Sequence, residues 1–137
     1  MTKPAVRYLA PPGAIAPTGP WNLAALDTTT NALYIAGMRG IDPATNKLVD
    51  GEEARIRQAF ANMRHIAESQ GASLTDCLRL VVYVTDMARH RSIANRVQQE
   101  LWGDGPYPPR TIVEVRGLND DDIFEVEGTF RVSGAAR

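Results

Sequence analysis

Apolar residues recur every three or four positions in the stretch that follows Asp50, and this spacing predicts an amphipathic helix. Asp50 can serve as the N-cap, Glu53 can complete a capping box, and Gly71 can end the helix. The apolar positions are Ile56, Phe60, Met63 and Ile66 or Ala67. A stripe of this kind is typical of a helix face packed on a protein core.

A second helix and five strands are predicted from the other apolar runs. The helix begins after Thr85 or Asp86 and ends at Asp104–Pro106. Its inner side carries Ile93, Ala94, Val97 and Leu101. Strands are predicted where β-branched and aromatic residues cluster. These runs are Trp21–Leu26, Ala32–Gly37, Cys77–Val84, Thr111–Val115 and Ile123–Val132.

The order of these elements is ββαβαββ, which predicts one α+β domain over residues 1–137. Residues 1–18 are rich in proline and glycine, and we expect them to form an irregular lead-in. The first two strands have the pattern of a hairpin. Because each helix has one apolar face, the two helices should cover one face of a mixed sheet.

Composition excludes several classes of partner. The 137 residues carry 15 basic and 16 acidic side chains, whereas proteins that hold nucleic acid through its phosphates are normally basic. No run approaches the roughly 20 apolar residues of a membrane span, and the N-terminus lacks the apolar stretch of a signal peptide. The single cysteine, Cys77, cannot form a disulfide within the chain, which fits a reducing compartment. We therefore predict a cytoplasmic protein that binds neither nucleic acid nor membranes.

The last two strands carry the candidate chemistry. A simple antiparallel hairpin centred between Asn119 and Asp120 would place Glu114 opposite Glu125. Side chains alternate along a strand, so one face would be polar. That face would carry Arg110, Ile112, Glu114, Glu125, Glu127 and Thr129. The helices should cover the other face, with Thr111, Val113, Val115, Phe124, Val126, Gly128 and Phe130.

Two interpretations of this polar face stay open. Polar faces of antiparallel sheets are commonly solvated, and that is the simpler interpretation. The other is a small-molecule site, because the planar guanidinium of Arg110 suits a substrate carboxylate and a nearby glutamate can position or deprotonate a water molecule. The second interpretation predicts hydrolysis of a small molecule that bears a carboxylate.

Five segments match a known family, in order, over about residues 19–132. They are Gly19-Pro20-Trp21, LYIAGMRGIDPATNKLV, GASLTDCLRLVVYVTDM, GPYPPRTIVEV and FEVEGTF. On these segments the chain resembles the reactive intermediate deaminase (Rid) family, also called the YjgF family. The more specific parts of the match are the (Y/F)PxR-x-x-V-x-V segment and the E-(I/V)-E strand.

The resemblance implies a chorismate-mutase-like fold, assembled as a homotrimeric barrel with sites in clefts between subunits. It implies that Arg110 binds the carboxylate of an enamine or imine, that Glu125 orients the attacking water, and that the backbone of Gly37 lines the pocket. The implied reaction is a hydrolytic deamination that needs no cofactor. No metal site is expected either, since His65 and His90 lack cysteine or acid partners at ligand spacing.

The chain departs from the family pattern at several pocket positions. Trp21, expected to contact substrate, replaces the usual tyrosine, and Ile112 stands where cysteine is common. The usual Ser-Gly-Gln is Ala-Gly-Met at Ala36–Met38, followed by Arg39. The segments GMRGIDP, GPYPPRTIVEV and LNDDDI resemble the 2-aminomuconate deaminase branch. If Arg39 faces the cleft, two positive charges would suit that dicarboxylate; a solvent-facing Arg39 is the alternative.

The favoured function is therefore deamination of 2-aminomuconate in aromatic-compound catabolism. A general 2-aminoacrylate-type enamine/imine deaminase is the alternative within the same class, and a non-catalytic metabolite-binding or regulatory trimer is the alternative from another class. The presence of both Arg110 and Glu125 favours an enzyme, because a binding protein needs the arginine but not the water-positioning acid. The near-neutral charge and the lack of a His-based acid/base pair argue against ribonuclease activity.

Overall fold

The fold is a six-stranded mixed sheet covered on one face by two helices. The computed structural model of the protein describes residues 5–133. The strands are β1 (Val6–Leu9), β2 (Ala24–Asp27), β3 (Ala32–Met38), β4 (Ile41–Asp42), β5 (Lys47–Leu48), β6 (Cys77–Val84), β7 (Arg110–Glu114) and β8 (Phe124–Arg131). The helices are α1 (Glu52–Ser69) and α2 (Met87–Trp102). The sheet order is β1-β2-β3-β8-β6-β7, while β4 and β5 form a separate ribbon. The α+β class and the two helices on one face are confirmed.

The N-terminal lead-in is more regular than predicted. Residues 1–18 contain β1, which pairs antiparallel with β2 at the edge of the sheet, so the expectation of an irregular segment is wrong there. Residues 1–4 of that lead-in, and residues 134–137 of the predicted domain, lie outside the described residues. The predicted hairpin of β2 and β3 is confirmed, but β2 begins at Ala24, which leaves Trp21 in the preceding loop.

Helix α1 begins without the predicted capping box. Its N-cap is Gly51 rather than Asp50, because the chain enters the helix with φ 96°, a conformation that glycine adopts without strain. Glu53 pairs instead with Arg57 at 3.1 Å and with Arg96 of α2, so it joins the two helices. The predicted apolar stripe is confirmed, and its members are fully buried: Ile56, Phe60, Met63, Ile66 and Ala67.

Strands β7 and β8 do not form the predicted hairpin. β7 is parallel to β6, and β8 lies antiparallel on the other side of β6. The physical reason is α2, because a helical crossover carries the chain back to the end of the sheet where β6 began. Glu114 is therefore separated from Glu125 by a whole strand, and the register predicted between them is wrong.

The faces predicted for β8 are confirmed, and those predicted for β7 are wrong. β8 is central, with Phe124, Val126 and Phe130 fully buried beneath the helices. Glu125 and Glu127 therefore alternate onto the uncovered face. In parallel register with β6, Arg110 and Ile112 lie beside the buried Leu80 and Val82. Arg110 and Ile112 are thus on the helix side, and Thr111 and Val113 are on the uncovered face.

The core supports β8 from below. The Phe60 ring of α1 lies 5.5 Å from the Phe124 ring of β8 and 6.2 Å from the Trp102 ring of α2, measured between centroids. The strand that carries Glu125 is thus held by hydrogen bonds on both edges and by aromatic packing on one face. Within residues 5–133, neither helix has the length and apolar character to cross a membrane.

Candidate functional site

A cavity of about 240 Å³ surrounds the side chain of Glu125, and we call it the Glu125 cavity. Its walls come from the end of β3, from β8, and from loops on either side of them. The lining residues are Ile15, Thr18, Trp21, Ala36, Gly37, Arg39, Ile41, Asn119 and Glu125. Four of the five predicted site residues are therefore brought together: Trp21, Gly37, Arg39 and Glu125.

Glu125 is half-buried in an environment that disfavours its charge. Burial raises the pKa of its carboxyl above the ordinary value, and the negative charges of Glu127 and Asp122 raise it further. The positive charge of Arg39 acts in the opposite direction. A carboxylate with a raised pKa accepts a proton from water more readily, which is the property that a general base needs.

Gly37 leaves the space in which the Glu125 carboxylate lies. The pairing of β3 with β8 shifts register between Ile35 and Met38, so Gly37 lies in an irregularity of the strand. A Cβ atom added at Gly37 would lie 2.6 Å from both Cδ and Oε2 of Glu125, closer than non-bonded atoms approach. Glycine at this position therefore lets the carboxylate lie directly over the backbone.

Arg39 lies in the cavity wall with its guanidinium already paired. Its side chain is 5% exposed, and Nη1 donates to the Asn119 carbonyl at 2.9 Å and to Oδ2 of Asp122 at 3.1 Å. Nη2 donates to Oδ2 of Asp120 at 3.2 Å. Arg55 lies 3.7 Å from the other oxygen of Asp122. Arg39 is therefore buried rather than solvent-facing, and it fastens the loop that carries Asn119 to the end of β3.

The N-terminal segment that carries Ile15, Thr18 and Trp21 is attached to the rest of the domain by side chains. Asn46 accepts a hydrogen bond from the Ala16 amide at 2.9 Å and donates one to the Ala16 carbonyl at 3.3 Å. This reciprocal pair fixes the segment against the β4–β5 ribbon, although the sequence suggests only a loop there.

Arg110 lies in a different cavity, of about 220 Å³, which we call the Arg110 cavity. It is lined by Asn95, Gln98, Gln99, Tyr107 and Arg110, between α2 and the edge strand β7. Nη1 of Arg110 donates to Oε1 of Gln98 at 3.0 Å, and within residues 5–133 the guanidinium forms no ion pair. Burial lowers the pKa of Arg110, and the nearby charge of Arg91 lowers it further. A half-buried, unpaired guanidinium is suited to an anionic ligand.

The other carboxylates of the predicted polar face have structural partners. Glu114 accepts a hydrogen bond from the Met87 amide at 2.8 Å, at the start of α2. Glu127 accepts one from the Tyr83 hydroxyl, which helps to raise the pKa of Tyr83 to about 12. Among the described residues, no group of three His, Cys, Asp or Glu side chains is placed to hold a metal ion. Glu125 is thus the carboxylate that a small molecule in the Glu125 cavity would meet.

Sequence reasoning missed the polar residues that surround the two charged groups. Asn119 of the Glu125 cavity lies in a turn, and Asn95 and Gln98 of the Arg110 cavity lie on a helix whose inner side was judged by its apolar residues alone. Gln98 was the signal in the sequence that could have identified them. It lies one turn from Ala94 on the inner face of α2, and a buried polar side chain requires a hydrogen-bond partner.

Comparison with known proteins places this arrangement in context. A family model described as endoribonuclease L-PSP matches residues 12–132. A RutC family protein of Pyrococcus horikoshii is 37% identical over 112 residues, which cover 81% of this chain and 86% of the relative. A protein of Dermatophagoides farinae named 2-iminobutanoate/2-iminopropanoate deaminase is 31% identical, with 88% of this chain and 92% of the relative covered.

A solved structure is similar over nearly the whole chain. The structure of a probable translation initiation inhibitor from Rhodopseudomonas palustris is 46% identical and superposes with a TM-score of 0.88. The alignment covers 93% of this chain and 98% of the other. The names of these similar proteins differ widely, so the choice among activities depends on the chemistry of the two cavities.

Proposed function

The chain belongs to the reactive intermediate deaminase (Rid, YjgF-like) family, and from that premise we propose that it hydrolyses an imine or enamine carboxylate and releases ammonia. The observation that carries the proposal is the Glu125 carboxylate, half-buried over Gly37 in a cavity and with a raised pKa. The name of the Dermatophagoides farinae relative, 2-iminobutanoate/2-iminopropanoate deaminase, supports the same reaction class.

The chemistry assigned to Glu125 is proton transfer to and from water. Glu125 takes a proton from a water molecule as the water oxygen attacks the imine carbon, and the C=N bond becomes a C–N single bond with a new C–O bond beside it. The nitrogen takes up that proton, which gives a carbinolamine with one hydroxyl and one amino group. The hydroxyl proton then passes to the amino nitrogen through Glu125, the C–N bond breaks, and the C–O bond becomes a carbonyl as ammonia leaves. Atoms and charge balance with water as the only co-substrate, so the proposed step needs no cofactor.

Arg110 is proposed to bind the substrate carboxylate from a neighbouring copy of the chain. Within one chain, Arg110 and Glu125 lie on opposite faces of the sheet with β6 between their strands, so they cannot meet around one small molecule. Each cavity holds half of the required chemistry, a guanidinium in one and a base in the other. A homotrimer with sites between subunits, as the family resemblance implies, would bring the halves together.

The finer proposal concerns the substrate, for which 2-aminomuconate is our candidate. Its support is the likeness of the GMRGIDP, GPYPPRTIVEV and LNDDDI segments to that branch of the family. Arg39 does not provide the free second cation that a dicarboxylate requires, since Asp120 and Asp122 neutralise it. The shorter 2-iminopropanoate and 2-iminobutanoate are therefore the substrates to compare.

The test is ammonia release from each imine, generated freshly in the assay by a second enzyme. We expect the chain to accelerate ammonia release well above the spontaneous rate, with EDTA leaving the rate unchanged. The ratio of kcat/KM values for 2-aminomuconate and 2-iminopropanoate then decides the substrate.

Two results would contradict the proposal. Binding of these imines without acceleration would favour a metabolite-binding or regulatory protein. Loss of activity in EDTA with recovery in zinc would assign the water activation to a metal rather than to Glu125.

A further inference from the structure

A third cavity, of about 290 Å³, adjoins the Glu125 cavity, and we call it the Lys47 cavity. The two cavities share Thr18, Arg39 and Ile41 as lining residues, so they form one elongated cleft with Arg39 in the common wall. The Lys47 cavity is completed by Asn46, Lys47, Leu48 and Asp120. An imine of three or four carbons does not need the additional polar and cationic side chains that this cavity provides.

Arg39 lies at the boundary between the two cavities, and its two aspartate partners differ in burial. On one side Arg39 is held by Asp122, whose side chain is fully buried. On the other side Nη2 of Arg39 pairs with Asp120, whose side chain is 72% exposed. An exposed ion pair contributes little free energy, whereas a buried one is costly to break. Asp120 is therefore the partner that an incoming carboxylate can replace without disturbing the attachment of Arg39.

Lys47 is the cation of the cleft that has no partner. Among residues 5–133, its ammonium group forms neither an ion pair nor a hydrogen bond. The side chain of Lys47 is exposed, but its backbone is fixed, because residues 42 and 47 are strand partners in the β4–β5 ribbon and the preceding Asn46 is bonded to Ala16. An unpaired ammonium held beside a replaceable carboxylate favours an anionic ligand over a cationic one.

We propose that the Lys47 cavity binds a second, distal carboxylate group of the ligand. This carboxylate pairs with Lys47 and displaces Asp120 from Arg39. The ligand class is then an extended molecule with an acidic group at each end. This proposal rests on the proposed function only for the reacting end of the molecule, since binding of the distal end does not require catalysis.

The experiment measures binding of unreactive acids to the full chain by isothermal titration calorimetry. The probes are straight-chain dicarboxylates of graded length and the monocarboxylates of the same lengths. We expect dicarboxylates of the fitting length to bind about tenfold more tightly than their monocarboxylate counterparts.

Two variants assign that preference to residues. Lys47→Ala should weaken dicarboxylate binding by about threefold to tenfold and leave monocarboxylate binding unchanged. Asp120→Asn should strengthen dicarboxylate binding by a similar factor, because it removes the competing charge, and asparagine tolerates the φ of 58° at this position. Arg64→Ala, which removes an exposed arginine paired with Glu68, is the matched control and should change neither. Arg39 itself is left intact, since its loss would leave Asp122 buried beside a single distant arginine.

Equal binding of dicarboxylates and monocarboxylates at every length would overturn the proposal, as would a Lys47→Ala variant that retains the preference. These outcomes are separable from failure of the proposed function. If the chain prefers dicarboxylates through Lys47 but hydrolyses no imine, the subsite proposal stands and the deaminase proposal fails. If the chain hydrolyses imines without that preference, the deaminase proposal stands and the subsite proposal fails.

Discussion

The Glu125 cavity and the Arg110 cavity hold opposite charges in opposite structural settings. Glu125 lies on the central strand β8, above the aromatic core, and its cavity is closed by loops that hydrogen bonds and ion pairs hold in place. Arg110 lies at the start of the edge strand β7, beside polar side chains of α2. Burial disfavours the charged form of both groups, since it raises the pKa of Glu125 and lowers that of Arg110.

Under the proposed function, one chain provides two halves of a site rather than a whole one. A domain gains no stability from a half-buried charge that lacks an opposite partner, so such groups are candidates for function. In the proposed assembly each charge would meet the same ligand, the base at the reacting carbon and the guanidinium at the carboxylate. Substitution of Glu125 and substitution of Arg110 should therefore impair catalysis in different ways.

The largest expected effect is that of Glu125→Gln on turnover. The amide keeps the shape of the side chain but cannot accept the proton, so kcat should fall about 10²- to 10⁴-fold while KM changes little. Initial rates of ammonia release over a range of imine concentrations give both constants. Glu127→Gln is the matched control and should keep most of its activity, because Glu127 is bonded to Tyr83. Full kcat in Glu125→Gln would place water activation elsewhere.

Arg110→Ala should act on binding, with a smaller effect. Loss of a charge-assisted partner for the substrate carboxylate should lower kcat/KM by about thirtyfold or more, chiefly through KM. Gln98→Ala removes the neutral partner of Arg110 without removing its charge, and it should cost much less.

A mixture of the two inactive variants tests whether the halves come from different chains. If sites form between subunits, co-refolded Arg110→Ala and Glu125→Gln chains should recover about a quarter of the wild-type activity, since one site in four would combine two intact halves. No recovery in mixed oligomers would mean that each site draws both residues from one chain.

Gly37→Ala should have an intermediate effect confined to the Glu125 cavity. The added methyl group would overlap the Glu125 carboxylate and displace it, so we expect kcat to fall by about tenfold or more with little change in carboxylate binding. Gly117→Ala is the matched control, since a Cβ atom there meets nothing within 4 Å. Equal activity of the two variants would show that the Glu125 carboxylate need not lie over the backbone of Gly37.

The smallest expected effect is on stability. Because the folded state raises the pKa of Glu125, it holds that proton more tightly than the unfolded chain does, and the associated stability is lost as pH rises through the folded pKa. Glutamine cannot ionise, so Glu125→Gln should match the wild type at acid pH and exceed it at neutral pH, by at most about 1 kcal/mol after solvent screening. Urea unfolding at acid and at neutral pH, on either side of the ordinary glutamate pKa, would show this divergence. A variant less stable than wild type at neutral pH would contradict it.

The sequence by itself determined the two helices, the strands β2, β3, β6, β7 and β8 and the chemistry they carry, but not the short strands β1, β4 and β5. Helical spacing identified the buried stripe of α1, and alternation in β8 placed Phe124 in the core and Glu125 on the uncovered face. These features are local, since a 3.6-residue or two-residue period specifies a face without reference to the rest of the chain. The family resemblance likewise depends on short segments that can be recognised in order.

Only the tertiary structure decided which residues meet. The sequence could not show that α2 makes β7 a parallel neighbour of β6, and this one connection moved Arg110 to the helix face, away from Glu125. Nor could it show that Arg39 is neutralised by two aspartates about 80 positions later in the chain, or that Lys47 beside them forms no ion pair within the described part of the chain. Contacts between distant parts of a chain depend on strand order and packing, which local patterns do not specify.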